Sequence, residues 1–438
     1  MVTRRSFLKG TAATGVLAAG GLAAPTLVFA QPKEVRWLNN EPDPNTIKFL
    51  NETAVEYEKK TGVKVLMEHV PVAEAYPKTI ASIKAGRAYD LVTVGEVSMA
   101  VLLAGEGHCL PVTDVVKKVG LADFGPKSLW YFKNELYLYP YDYNFCYLFY
   151  RRDWYEQKGL KPAKTLNEFT EILKTFTAGD KRGWSQPLSA HATTNWAGVN
   201  VLWAHGVRLF GDNWNVVLDS PEVKPKAVAA LNYLKATFPY MPKGMPQAQY
   251  ADLINSFVAE NVAHTFYTGR LIHHLEKVNP KIAESYGIMG FPTSSPDKWA
   301  VTHATDGWVV IKEGRSNAAA LKLLEWFVTE RLVDYLRTVV LHYQPVQRSV
   351  YKNPQWANDP LVRKHRHAVD AMYAFLDEKR TAINAIDIDG PGLDVIQGKV
   401  WNAFVIPEMY QEVLLKNVDP ARAVENAAAR IRKLQGRA

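Results

Sequence analysis

Asparagine and glutamate stand together at Asn40-Glu41, and a second glutamate follows at Glu96. Further along come Tyr141, the pair Asn195-Trp196, Tyr267 with Arg270 three residues later, Asp306 and Trp308 around a glycine, and the pair Tyr343-Gln344. Carboxylates and amides hold hydroxyls, indole and phenol rings stack on apolar faces, and a guanidinium adds a rigid fork of donors. Such a set suits capture of a polyhydroxylated molecule in a cleft that is buried when two bodies close over it. The chain is rich in this material, with 12 Trp and 21 Tyr. Other chemistry has less to build on. No His/Cys/carboxylate spacing marks a metal, and there is no Gly-rich phosphate loop, internal repeat or low-complexity tract, so neither a metal nor a cofactor is expected. Glu41, Glu96 and Asp306 could house a catalytic carboxylate pair on a saccharide, but nothing fixes them at catalytic separation.

Each residue has a structural alternative. Glu41 could cap the first helix, as could Asp43 or Asn45, and Glu96 could cap a helix starting near Ser98. Tyr141 could pack in a core, and Arg270 could pair with a loop acid. Trp203, Trp326 and Trp401 fall on helix faces and read as core.

These residues need a frame, and the chain alternates strand and helix to supply one. Val35–Leu38, Val63–Val70 and Leu91–Val94 read as strands, with helices over Thr46–Lys60 and Val72–Ala85 between them. That pattern predicts a parallel sheet covered by helices, with ligands at the loops after the carboxyl ends of strands. Asn39–Asp43 and Gly95–Ser98 are those loops. From Leu136 the alternating tyrosines and then the run Phe145–Tyr150 read as one long strand, first half exposed and then buried, followed by a short helix that Gly159 closes. A capping box opens at Thr165-Leu166-Asn167-Glu168, and Ser316 starts a long helix reaching Val340.

Pro140, Phe149-Tyr150-Arg151-Arg152-Asp153-Trp154-Tyr155, Gly159-Leu160 and the run Pro162–Phe169 resemble the lobe-crossing strand of family 1 extracellular solute-binding proteins, the maltose-binding-protein-like receptors of ABC importers. Similar family segments follow in order: Tyr89–Val92 to Leu110-Pro111-Val112, Asp219-Ser220-Pro221, Gln249–Arg270, Tyr286–Pro292, Thr305–Ile311 and His342–Val350. Each is loose, and their order and spacing are specific. The resemblance implies an α/β, two-lobed periplasmic-binding-protein fold, each lobe a mostly parallel sheet flanked by helices, joined by crossing hinge strands. It places residues 31–142 and 301–345 in lobe 1, and 143–300 and 346–438 in lobe 2. It implies a carbohydrate or polyol ligand, ABC permease subunits as partners, and no catalysis. One departure matters: where the family commonly has a Trp after the strand Val262–Phe266, this chain has Arg270, which leaves an anionic sugar derivative open as the ligand.

The first residues carry an address. Thr3-Arg4-Arg5-Ser6-Phe7-Leu8-Lys9 is a twin-arginine export motif, an apolar stretch runs to Phe29, and Val28-Phe29-Ala30 offers a cleavage site, so residues 1–30 read as a signal peptide and the periplasm as the destination. Removing Arg4, Arg5 and Lys9 lowers the formal net charge from +8 to +5. That charge is spread out, which excludes a nucleic-acid footprint; a monomer is expected. Cys109 and Cys146 could pair in an oxidising compartment, but their spacing does not demand it.

Overall fold

Helix boundaries follow local chemistry closely. The first helix runs Pro44–Thr61: Asp43 caps it by accepting the Asn45 N–H at 2.9 Å, and Gly62 at φ +72° ends it in the left-handed region that glycine enters freely. Because Asp43 fills that role, Glu41 is released from the helix end. The computed structural model describes residues 34–377 and 379–436; the leader at 1–30 lies outside them. Among the described residues no helix is long and apolar enough to cross a membrane.

Two larger sheets organise the chain. In the first, the strands run in the order Lys64–His69, Glu34–Asn39, Leu91–Val94, Gly307–Ile311 and Cys109–Leu110, with Tyr139–Pro140 also on Gly307–Ile311. The second has the order Phe291–Pro292, Trp299–Ala304, Asp142–Arg151, Val262–Tyr267 and Arg182–Ser185, with Tyr286–Met289 and Gln344–Pro345 also on Asp142–Arg151 and Thr381–Asn384 on Trp299–Ala304. Both are mixed rather than mostly parallel. The early strands pair in parallel through helical crossovers, Glu34–Asn39 with Lys64–His69 and with Leu91–Val94. Strands that enter from the other sheet run the opposite way, so Asp142–Arg151 is antiparallel to Val262–Tyr267, Tyr286–Met289, Trp299–Ala304 and Gln344–Pro345.

The stretch after Leu136 is not one strand. It divides into Glu135–Leu136, Tyr139–Pro140 and Asp142–Arg151, and Tyr139, Tyr141 and Tyr143 are all buried. Pro140 pairs in the first sheet and Asp142 in the second, so the chain changes sheets at Tyr141. It changes back at Thr305-Asp306, between Ala304 in one sheet and Gly307 in the other, and Gln344 pairs with Tyr143 at a third crossing. The Asp306 carbonyl accepts the Tyr141 N–H at 3.1 Å, and the Asp306 N–H donates to the Asp142 carboxylate at 3.1 Å. These bonds bring crossing segments far apart in sequence side by side.

Other expectations shift in detail. The capping box at Thr165 holds on one side, with the Thr165 hydroxyl accepting the Glu168 N–H at 3.3 Å, but Glu168 accepts from Lys164 at 2.7 Å. The long helix after Ser316 divides into Asn317–Glu330 and Leu332–Arg337, and Ser316 serves through its own N–H, which donates to Asp90 at 2.7 Å. The helix Val395–Asn402 packs on Val97–Gly105, where a side chain at Gly398 would meet Leu102 at 2.5 Å. Cys109 and Cys146 are both buried and free.

Candidate binding site

Where the sheets meet, the crossings and the loops after strands enclose a cavity of about 160 Å³. From the first sheet come Glu41, beyond the end of Glu34–Asn39, and Gly95-Glu96, after Leu91–Val94. From the second come Asn144 on the crossing strand and Tyr267, Thr268 and Arg270 after Val262–Tyr267. Trp196, Tyr250 and Trp401 supply rings, and Asp306 and His342 lie along the wall. Trp196 sits on a π-helical turn, Thr194–Gly198, a distortion that recurs at functional sites because it re-aims side chains.

Glu41 joins the two halves. Its carboxylate accepts from the Arg270 guanidinium at 3.0 Å, the Tyr343 hydroxyl at 2.8 Å and the Tyr141 hydroxyl at 3.3 Å. Arg270 is therefore held by a loop acid even though its side chain reaches the cavity. Burial works against its charge, and Glu41 together with Tyr343, Tyr267 and Asp43 more than offsets that, so its pKa stands above the usual value. Glu96 occupies the N-cap position of Val97–Gly105, but its carboxylate makes no cap bond. Asp387 accepts the Ser98 N–H there at 3.3 Å, and the Glu96 side chain turns to the cavity.

Of the expected site residues, Glu41, Glu96, Trp196, Tyr267, Arg270 and Asp306 line the cavity. Asn40 stands just behind: it is 1 % exposed, its amide N is 3.8 Å from where a Gly95 side chain would begin, and neither amide atom has a partner among the described residues. The others turn away. Trp308 is fully buried among Trp37, Tyr141, Phe327 and Tyr335, with ring centroids 4.5 Å from Tyr141 and 5.1 Å from Phe327, so it is core and not a stacking floor. Tyr141 and Tyr343 are also sealed, and act through their hydroxyls on Glu41. Asn195 donates to the Trp401 carbonyl at 2.8 Å and Gln344 to the Leu341 carbonyl at 2.7 Å, so both spend their donors on backbone.

Lining residues not among the expected site residues include Asn144, Tyr250, His342 and Trp401. Asn144 and His342 carried a signal, since both adjoin crossing segments already singled out. Trp401 did not, because which face of a late helix meets the cleft is settled by packing distant in sequence.

With this geometry in place, the comparisons with known proteins are direct. A family model described as bacterial extracellular solute-binding protein matches residues 52–364. The chain belongs to that family. The maltotriose-binding protein of Pyrococcus abyssi is 24% identical over 405 residues, spanning 88% of this chain and 82% of the relative. A mannitol-binding protein of Pseudomonas aeruginosa is 25% identical over 339 residues, spanning 72% of this chain and 73% of its own. Among solved structures, an ABC transporter solute-binding protein of Thermotoga lettingae bound with α-D-tagatose superposes with a TM-score of 0.74 at 20% identity, covering 92% of this chain and 100% of that one. The two-lobed α/β fold is thus shared across the family.

The electrostatics of this cavity are lopsided. Arg270 is the one Lys or Arg among the described lining residues, against Glu41, Glu96 and Asp306. Burial, and then the neighbouring Asp142 and Glu41 charges, push Asp306 well above the usual carboxylate range. Burial likewise raises Asp142, beside Glu41. Glu96 is pushed up to about 8 by burial and by Asp387, although the open cavity leaves part of its surface uncovered by protein. His342 is held well below its usual value by burial and then by Arg270, so its imidazole is neutral.

Proposed function

We propose that this cavity captures a compact carbohydrate or polyol and that the closed, loaded protein delivers it to an ABC importer. One observation carries the reading: rings and hydrogen-bonding groups from both sheets converge on one cavity, and several polar groups at it or just behind it lack a partner among the described residues. The Trp196 indole N–H, the Asn144 carbonyl oxygen and both Asn40 amide atoms are among them. A buried polar group left unpaired costs about 1–3 kcal/mol, so a ligand rich in hydroxyls recovers free energy by filling them. The ligands named for the relatives, maltotriose, mannitol and tagatose, are of this class. The cavity has room for a sugar ring or short polyol.

An anionic sugar derivative fits less well, since Arg270 is already committed to Glu41 and the other acids of the lining, Glu96 and Asp306, offer an anion no counter-charge. A catalyst is also less favoured, because Glu41 has three donors on it and the family is one of solute binders.

The rest of the reading concerns delivery. The twin-arginine motif in the leader supports export by that route to the periplasm, and closure of the lobes would form the surface that permease subunits meet, with the receptor acting as a monomer. We draw lobe 1 as residues 31–141 and 305–343, and lobe 2 as 142–304 and 344–438. The boundaries move from 142, 301 and 345 because Asp142, Trp299–Ala304 and Gln344–Pro345 pair in the second sheet.

A thermal-shift screen of the purified protein against hexoses, pentitols, hexitols, amino sugars, sugar acids and maltotriose tests the binding reading. Monosaccharides or short polyols are expected to raise the melting temperature, because a ligand at 100 times its Kd stabilises by about 2.7 kcal/mol. Silence across all classes overturns it.

A further inference from the structure

The acid excess in the cleft is more than a neutral sugar requires. Glu41, Asp306 and His342 each bring a ligand atom to one spot, all within 4.8 Å of one another. They are 5 %, 1 % and 5 % exposed, and the His342 Nδ1 has no partner among the described residues. His342 is neutral, so one ring nitrogen presents a lone pair. Arg270 balances Glu41 alone, its Nη2 3.0 Å from one Glu41 oxygen, while among the described residues the Asp306 side chain has only the Asn144 amide, at 3.3 Å, and faces Asp142 and Glu96 beyond.

We propose that the solute carries a protonated primary amine, as in an amino sugar or amino-polyol, and that its ammonium sits among Glu41, Asp306 and His342. The inference rests on the carbohydrate or polyol reading of the cleft and narrows it. An ammonium has three N–H donors and no acceptor. Acceptors about 2.8 Å from its nitrogen along tetrahedral directions stand roughly 4.6 Å apart, a spacing that fits within the 4.8 Å that bounds the three ligand atoms. A divalent ion would meet the Arg270 guanidinium, 3.0 Å from Glu41, with twice the charge. Trp196, with its free indole N–H, and Tyr267 remain for the rest of the molecule.

Titration calorimetry of the full protein against matched sets tests the proposal: a hexosamine, its parent hexose and its N-acetyl derivative, and a 1-amino-1-deoxyalditol with its alditol, at a pH where the amine is charged. In at least one set the free amine is expected to bind about ten-fold or more tighter than its hydroxyl and N-acetyl counterparts. Asp306→Asn should abolish that preference by weakening the amines more than their hydroxyl counterparts. The wild-type comparison stands alone should that variant not fold. Hydroxyl members binding as tightly as the amines would overturn the proposal and leave the carbohydrate reading standing. Stabilisation by calcium or zinc alone, reversed by a chelator, would replace the ammonium with a metal ion. Failure of every member to bind would sink the carbohydrate reading together with the inference.

Discussion

Two aromatic clusters lie on either side of Glu41, and they differ in what covers their rings. Below it, Trp37, Tyr141, Trp308, Phe327, Tyr335 and Tyr343 pack on one another, with Tyr335 stacked on Tyr343 at 5.2 Å and Tyr141 edge-on to Tyr343 at 5.6 Å. Above it, Trp196 makes edge contacts with Tyr250 at 5.9 Å and Tyr267 at 5.5 Å, and all three line the cavity. Residue type is the same in both. A ring becomes a ligand surface only where its neighbours leave it uncovered, and the sealed cluster instead uses its hydroxyls to orient the Glu41 carboxylate. Tryptophan and tyrosine in a loop-like setting are therefore weak signs of a sugar floor.

The comparison breaks most visibly at Trp308 and Arg270. Trp308→Ala should cost roughly 3–5 kcal/mol of stability, read from the denaturant midpoint, because it empties the centre of the sealed cluster. A loss below about 1 kcal/mol would mean that the ring is not structural. Arg270→Met should cost a similar 3–5 kcal/mol, since it strands the Glu41 charge at 5 % exposure. Glu41→Gln added to Arg270→Met should restore much of that, and a double-mutant cycle measures the coupling. Additive effects would show that the two lobes are not joined through this pair.

A second, smaller effect separates cleft from core through pH. His264 and His303 are both held down to about 4 by burial, partly offset by a backbone acceptor. Between pH 6.5 and 4 the unfolded chain binds protons that the folded one refuses, so this stability is complete above about 6.5 and lost as pH falls, by roughly 3 kcal/mol per histidine. Glu96 acts with the opposite sign. Its pKa is raised to about 8, so its ionised form is penalised in the folded state and stability rises as pH falls from about 8 towards the ordinary carboxylate range. Melting curves across this range should therefore pass through a maximum. Glu96→Gln should flatten the alkaline side and steepen the acid side, where its window overlaps that of the histidines with opposite sign; a flatter acid side would mean that the histidines are not its cause.

The sequence patterns carried much of this. Strand Leu91–Val94 and the helix after Asp43 stand where period and capping put them, because both depend on near neighbours. Glu41, Glu96, Arg270 and Asp306 were legible as loop residues at strand ends or crossings, where an α/β architecture gathers its ligand groups. What failed was depth. Trp308 follows Asp306 and Gly307 like a loop residue, yet Gly307 already pairs with Val94 and Pro140, so the next ring enters the core. Trp401 failed the other way: its helix reads as core-facing, and only its docking beside Val97–Gly105 brings it to the cleft. Sheet direction was misread for a related reason, since helical crossovers are visible in sequence and strands arriving from the other lobe are not.

The smallest expected effect discriminates best. The indole N–H groups of Trp196 and Trp308 both lack a hydrogen-bond partner among the described residues. Trp196 lines the cavity, whereas Trp308 is wholly enclosed. Trp196→Phe keeps an aromatic ring and removes the donor, so ligand affinity should fall by about ten-fold, the worth of one hydrogen bond near 1–1.5 kcal/mol, with the melting temperature of the free protein little changed. Trp308→Phe should do the reverse, lowering the melting temperature through lost ring volume while leaving affinity within about two-fold. Equal affinity losses in both variants would mean that the sealed cluster shapes the site through Glu41, and the boundary between core and cleft would then have to be drawn one layer deeper.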